Sequence, residues 1–191
     1  MMEPVSVNNS DYSVLPFPRS YWVIPGKLLA GHVPSAPEPE RSEHKINRLI
    51  EVGIRCFINL QEENETNEDG YLFPKYEEYL AELSKKQKTT IDFHRFGISD
   101  LEVPTIPFMK TILDTTDAAI TAGKPVYIHC WGGIGRTGTV IGCFLIRHGM
   151  ADKSNVIEMI RYLRRSDPKI ERESPETEEQ RQFVLDWKPI E

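Results

Sequence analysis

The chain has 191 residues, 39% of them hydrophobic and 27% charged, with a formal net charge of -6. That length suggests one domain, able to bury roughly 70% of its unfolded surface without a disulfide or metal staple. The acid excess argues against nucleic acid or an anionic membrane as the default partner.

Residues 1–20 are polar, carry Pro4, Pro16 and Pro18, and show no period; they read as an N-terminal arm to a domain spanning 21–191. They lack the apolar core of a signal peptide, and no apolar run is long enough to span a membrane. Three cysteines, Cys56, Cys130 and Cys143, are an odd number that fits a reducing compartment better than a disulfide framework, so a cytoplasmic location is expected.

Two short strands are predicted around the turn Pro25-Gly26. Ser35-Ala36-Pro37-Glu38 fits a capping box with proline in the first turn, and the helix it opens carries Ile46, Leu49 and Ile50 on one face and stops at Gly53. The apolar run from Ile54 to Leu60 predicts a strand buried on both faces. Gln61–Gly70 holds Glu62, Glu63, Glu65, Glu68 and Asp69 and predicts an exposed acidic loop. A helix over 75–86, a strand over 90–96, a helix from about 105 to 123 and a strand at Pro125–Ile128 follow. Helices over 136–149, 152–165 and 175–187 complete the order. Strands alternating with helices predict an α/β fold with a central, mostly parallel mixed sheet flanked by helices.

His129-Cys130-Trp131-Gly132-Gly133-Ile134-Gly135-Arg136-Thr137-Gly138 lies between a predicted strand and a predicted helix. Glycines let a loop turn its N–H groups inward, and the helix that follows adds free N–H groups and a partial positive charge, which makes an anion cradle. A cysteine at its mouth has its thiolate stabilised. An arginine closing the loop offers a planar fork that matches two phosphate oxygens. Neither Cys56 nor Cys143 has an arginine six residues on, and both read as small core side chains. The chemistry implied is nucleophilic attack on phosphorus, with Trp131, Gly132, Gly133, Ile134, Gly135 and Arg136 around the phosphate and no metal required.

His129-Cys130, five residues, then Arg136-Thr137-Gly138 resembles the signature loop of the cysteine-dependent protein tyrosine phosphatases. Chain length resembles their dual-specificity branch, with the likeness running over roughly 21–187. The resemblance implies a protein tyrosine phosphatase-like fold, a cysteinyl-phosphate intermediate, no cofactor, and phosphorylated protein as partner. It implies a general acid on a loop upstream: Asp100, followed by Pro104, fits, and Glu102 is its nearest competitor. Thr137 would hydrogen-bond the sulfur and His129 would orient the loop. Gln180 best matches the residue that positions the attacking water, with Gln182 as the alternative. The thiolate would also be open to peroxide, with Cys56 and Cys143 as the other thiols.

The resemblance leaves substrate class open among phosphotyrosine, phosphoserine or phosphothreonine, a phosphoinositide, a nucleotide or an RNA 5′-phosphate, and a phosphoprotein-binding module is a further alternative. Two features weigh against polyanions. The first loop positions after Cys130, Trp131, Gly132 and Gly133, carry no lysine or arginine, and the acidic run leaves the sheet edge where the site should form. Arg161, Arg164 and Arg165 read as a solvated helix face with structural hydrogen bonds.

Overall fold

The computed structural model describes residues 15–188; the polar arm as far as residue 14 lies outside them. Within this span the elements are β1 (Ser20–Ile24), β2 (Leu28–Gly31), α1 (Pro39–Glu51), β3 (Cys56–Asn59), α2 (Glu77–Gln87), β4 (Asp92–Arg95), α3 (Ile106–Thr121), β5 (Val126–His129), α4 (Gly135–Arg147), α5 (Val156–Leu163) and α6 (Glu178–Asp186). The sheet order is β1-β2-β5-β3-β4, with β1 antiparallel to β2 and every other pairing parallel. The mostly parallel mixed sheet read from the sequence is therefore the one observed.

Alternation along the strands sorts the core into two layers. Leu28, Ala30, Cys56, Ile58, Val126 and Ile128 face one side and pack with Met109 and Ile112 of α3, much of α4, Ile160 of α5 and Val184 of α6. Leu29, Phe57 and Tyr127 face the other and pack with Ile46 and Leu49 of α1 and Leu80 and Leu83 of α2. α4 is buried from Gly135 to Ile146, as a helix sandwiched between sheet and neighbouring helices must be.

The helix predicted from Ser35 begins only at Pro39, with Glu38 extended (φ -86°, ψ 119°) and no side-chain cap. Proline is the reason: Ala36 and Glu38 each precede one, and the residue before proline is pushed out of the α region. The hydroxyl that bonds Ala36, accepting from its N–H (2.8 Å), is that of Ser42. α5 is likewise shorter than expected, because Asp152 to Asn155 close a turn of their own, with Asp152 Oδ1 accepting from Ser154 N–H (2.8 Å) and the Asp152 N–H donating to Asn155 Oδ1 (2.9 Å).

Candidate active site

Register brings the ends of the parallel strands together. His129 at the end of β5 sits opposite Gly31 of β2 and Asn59 of β3, and Asn59 sits opposite Arg95 of β4. The segments leaving β3, β4 and β5 therefore share one edge, where α/β sites form. They are the acidic run, the Asp100 loop and the Cys130 loop.

The Cys130 loop is shaped by where its carbonyls go. Trp131 O accepts from Val33 N–H (3.1 Å), Gly132 O from Arg19 Nη2 (2.6 Å) and Ile134 O from the Ser174 hydroxyl (2.7 Å). Carbonyls drawn outward leave the N–H groups for the concave side. Gly133 has φ +69°, and a Cβ there would stand 2.4 Å from Gly31 C, so both backbone conformation and space demand glycine. Cys130 is 2% exposed and lies on a cleft of about 410 Å³, shared with Trp131, Gly132, Gly135, Asp100, Leu101, Arg19, Lys169, Arg172, Glu68 and Glu176. The Thr137 hydroxyl donates to its sulfur at 3.1 Å. Burial pushes the Cys56 thiol up to about 12, with the Asp92 charge adding, and raises Cys143 well above its ordinary value, so both stay neutral thiols in the core.

His129 is wholly buried behind the loop. Its Nδ1 lies 3.1 Å from Cys130 O, which can only accept, so Nδ1 carries the proton and Nε2 accepts from the Tyr76 hydroxyl at 2.5 Å. Burial holds its pKa down at about 3, and the charges of His32, Arg95 and Arg136 act in the same direction. His32 is also depressed to about 3, by burial first and then by Arg19 and Lys45. These histidines take up protons on unfolding below pH 6.5 but not in the folded chain until about pH 3. The unfolded state thus binds more protons across that window, and stability falls as pH falls, by up to ~1.4 kcal/mol per pH unit for each. Urea unfolding at pH 7 and pH 5 checks this, and a flat profile would contradict the buried neutral rings.

Arg136 is 1% exposed, and its partners fix its direction. Nη1 donates to Glu65 Oε2 (2.5 Å) and Ile98 O (2.9 Å), and Nη2 donates to Glu65 Oε1 (2.8 Å) and pairs with Asp100 Oδ1 (2.9 Å). Nε is buried and has no hydrogen-bond partner among the described residues. Burial lowers the pKa of Arg136, but the Glu65 hydrogen bonds and the nearby Cys130, Glu65 and Asp100 charges outweigh it, and the net shift is upward. Glu65 was expected to repel anions from an exposed loop. Instead its side chain is only 10% exposed and forms a two-pronged clamp on Arg136. The physical reason is that a buried guanidinium needs a counter-charge, and the acidic run leaves the same sheet edge. Glu65→Gln leaves one acceptor and turns an N–H₂ group toward the guanidinium. It is expected to cut kcat/KM about tenfold, the scale of one lost charge-assisted hydrogen bond. Unchanged kinetics would show that the clamp does not orient Arg136.

Asp100 does not cap α3: that place belongs to Thr105, whose hydroxyl accepts from Phe108 N–H (3.4 Å). Its carboxylate is half exposed on the guanidinium of Arg136. Leu101, the next residue, has φ +65°, and its carbonyl accepts from the Thr177 hydroxyl at 3.3 Å. Glu102 is exposed, and its carbonyl accepts from Gln180 Nε2 (3.2 Å).

Gln180 is wholly buried, and both its amide oxygen and its amide nitrogen are engaged. Oε1 accepts from Glu176 N–H (3.1 Å) and Thr177 N–H (3.2 Å), completing a capping box at the start of α6. A Cβ on Gly135 would stand 2.9 Å from Oε1, so the side chain abuts the Cys130 loop while its donor holds the Asp100 loop. Gln182 is turned away, donating to Asp186 at 3.0 Å.

Arg164, expected on a solvated face, is 1% exposed. It pairs with buried Asp167 (3.2 Å) and donates to the carbonyls of Arg172 (3.0 Å) and Lys169 (3.3 Å), so it folds the segment between α5 and α6 around itself. No helix pattern could show this, because the partners lie beyond the end of α5. Arg19, Glu65 and Tyr76 are members of the site that the sequence pattern does not mark; each reaches it from a segment remote in sequence. Among the described residues no cluster could hold a metal ion and no helix is long and apolar enough to cross a membrane.

Residues 18–184 match the family described as Swiss Army Knife protein, DSP-PTPase phosphatase domain. The chain belongs to that family, the dual-specificity-like phosphatases of the cysteine-dependent protein tyrosine phosphatase superfamily. It is 29% identical over 101 residues to a mouse protein tyrosine phosphatase domain-containing protein 1, covering 53% of this chain and 13% of that protein. It is also 29% identical over 138 residues to an Arabidopsis thaliana phosphatidylglycerophosphate phosphatase PTPMT2, covering 72% of this chain and 52% of that protein. The chain thus spans a small part of the first relative and about half of the second. The crystal structure of Tk-PTP in its active form superposes with a TM-score of 0.62 at 21% identity, covering 90% of this chain and 97% of that one.

Proposed function

We propose that the chain hydrolyses phosphomonoesters through a cysteinyl-phosphate. The observation that carries this reading is the convergence of Cys130 and the outward-bonded loop on one cleft, with the Glu65-clamped Arg136 paired to Asp100, which lines the same cleft. The Cys130 thiolate attacks phosphorus in line, and the loop N–H groups and Arg136 hold the non-bridging oxygens. Arg136 Nε is the donor left for them, and Nη2 becomes available as Asp100 moves off it. Asp100 then protonates the leaving oxygen, since an alkoxide or phenolate leaves poorly without a proton. Water, deprotonated by Asp100, attacks phosphorus in the second step, and the Thr137 hydroxyl stabilises the departing sulfur. Gln180 acts in this scheme by holding the acid loop against α6; its amide oxygen is committed to two backbone donors.

Asp100→Asn tests the acid role. We expect a loss of about 10²–10⁴-fold on alkyl phosphates and a much smaller loss on aryl phosphates with good leaving groups. Equal losses on both would remove Asp100 from that role and direct attention to Glu102.

The family likeness carries phosphorylated protein side chains as substrate. The second class is small or lipid phosphates, the kind named for the Arabidopsis relative. It gains support from the cleft itself. Glu65 of the acidic run is engaged by Arg136, and cations absent from the Cys130 loop arrive from elsewhere in the chain.

A further inference from the structure

The Cys130 loop has no cation before Arg136, yet the cleft has a basic wall built from two other segments. Arg19, just before β1, reaches in and donates Nη2 to Gly132 O at 2.6 Å. Its Nε is buried without a hydrogen-bond partner among the described residues, 4.0 Å from Asp167. Lys169 and Arg172 come from the segment that Arg164 and Asp167 fold, and both line the same cleft as Cys130.

The charge on this wall is cancelled only in part. Asp167 is shared between Arg164 and, at longer range, Arg19. Glu176 is taken by Arg172 and Asp100 by Arg136. The Lys169 ammonium has no ion pair or hydrogen bond among the described residues. Of the three carboxylates on the cleft, that leaves Glu68, on the hairpin segment after β3. Burial lowers the pKa of Arg19, with Asp167 and Cys130 opposing and Arg172 and Arg164 adding to the fall; burial likewise lowers His32, with Arg19, Lys45 and Lys169 acting the same way.

Resting on the phosphatase reading, we propose that Arg19 and Lys169, with Arg172 beside them, form a second anion subsite, so that the favoured substrate carries a phosphate or phosphodiester close to the phosphomonoester being cleaved. The two anions share one cleft of about 410 Å³, so a short linker must join them. That selects a compact polyol bisphosphate or the equivalent lipid headgroup over a peptide, whose phosphorylated side chains stand on separate residues. Arg19 supplies directed N–H donors beyond the one it gives to Gly132 O, and Lys169 supplies the mobile point charge.

The test compares propane-1,3-diol bisphosphate with its monophosphate, measuring kcat/KM on the active protein and Kd by calorimetry on Cys130→Ser. Wild type is expected to prefer the bisphosphate by about tenfold or more, and Lys169→Met and Arg19→Met each to lower that ratio about tenfold. The preference should shrink as salt is raised. A ratio near one in wild type, or one unmoved by Lys169→Met, overturns the subsite even while p-nitrophenyl phosphate is turned over. Absent turnover of every ester with a persistent binding preference would sustain the subsite and overturn the phosphatase reading instead. The phosphopropyl ester of phosphatidic acid in neutral phosphatidylcholine vesicles identifies the source. Faster turnover there than in solution supports a lipid headgroup, and slower turnover supports a free polyol phosphate. A doubly phosphorylated peptide outperforming both would overturn the compact-substrate assignment.

Discussion

Cys130→Ser is expected to lower kcat on p-nitrophenyl phosphate by at least ~10⁴-fold, the scale seen when a nucleophile acting as part of a unit is removed. A serine hydroxyl is a far weaker nucleophile at neutral pH than a thiolate, and no general base stands against it. His129 faces away, its Nδ1 on Cys130 O and its Nε2 on Tyr76, and its depressed pKa leaves it a poor proton acceptor. Phosphate binding should survive, because the loop carbonyl bonds and the Arg136 clamp do not involve the sulfur. Calorimetry with inorganic phosphate and steady-state kinetics separate the two effects. Multiple turnovers by the serine variant at even a hundredth of the wild-type rate would end the covalent scheme.

Arg136→Ala is expected to cost about 10⁴-fold in kcat/KM, since two donors to the phosphoryl oxygens are lost and each is worth about 10²–10³-fold. It should also destabilise the fold. Glu65 would keep a mostly buried carboxylate with no cation opposite it, and breaking such a pair costs about 3–5 kcal/mol, a large share of the ~5–15 kcal/mol that holds a domain together. Arg136→Lys separates these outcomes. An ammonium restores the counter-charge and much of the stability but cannot grip Glu65 on one edge and a phosphate on the other. Its kinetics should therefore stay close to those of the alanine variant while its urea midpoint recovers. Recovery of kinetics together with stability would mean that Arg136 acts only through its charge.

The layered sheet, the helix order and the Cys130 loop were legible because each rests on local pattern. Alternation along β3 and β5 sorts their side chains to two faces, and the positive φ at Gly133 favours glycine from the loop's own geometry. The partnerships that tune the site were not legible. Glu65 looked like one of five exposed acids, and nothing in the acidic run marks which of them turns inward. Arg164 looked solvated because helical spacing says nothing about an acid three residues on in a non-helical turn. The start of α1 departs from the capping-box pattern because three prolines fall in six residues, Pro34, Pro37 and Pro39, and proline's steric demand on its predecessor is the stronger constraint.

The amide of Gln180 ties the opening turn of α6 to the backbone of the Asp100 loop. Local melting of that helix and excursions of the loop are therefore linked equilibria. An oxyanion that holds the loop down must slow solvent exchange of the Gln180 and Arg181 amides, and by reciprocity a change that frays the C-terminal helix must weaken the grip on that oxyanion. Hydrogen–deuterium exchange on catalytically dead protein, with and without vanadate, would read this coupling with no substrate turned over.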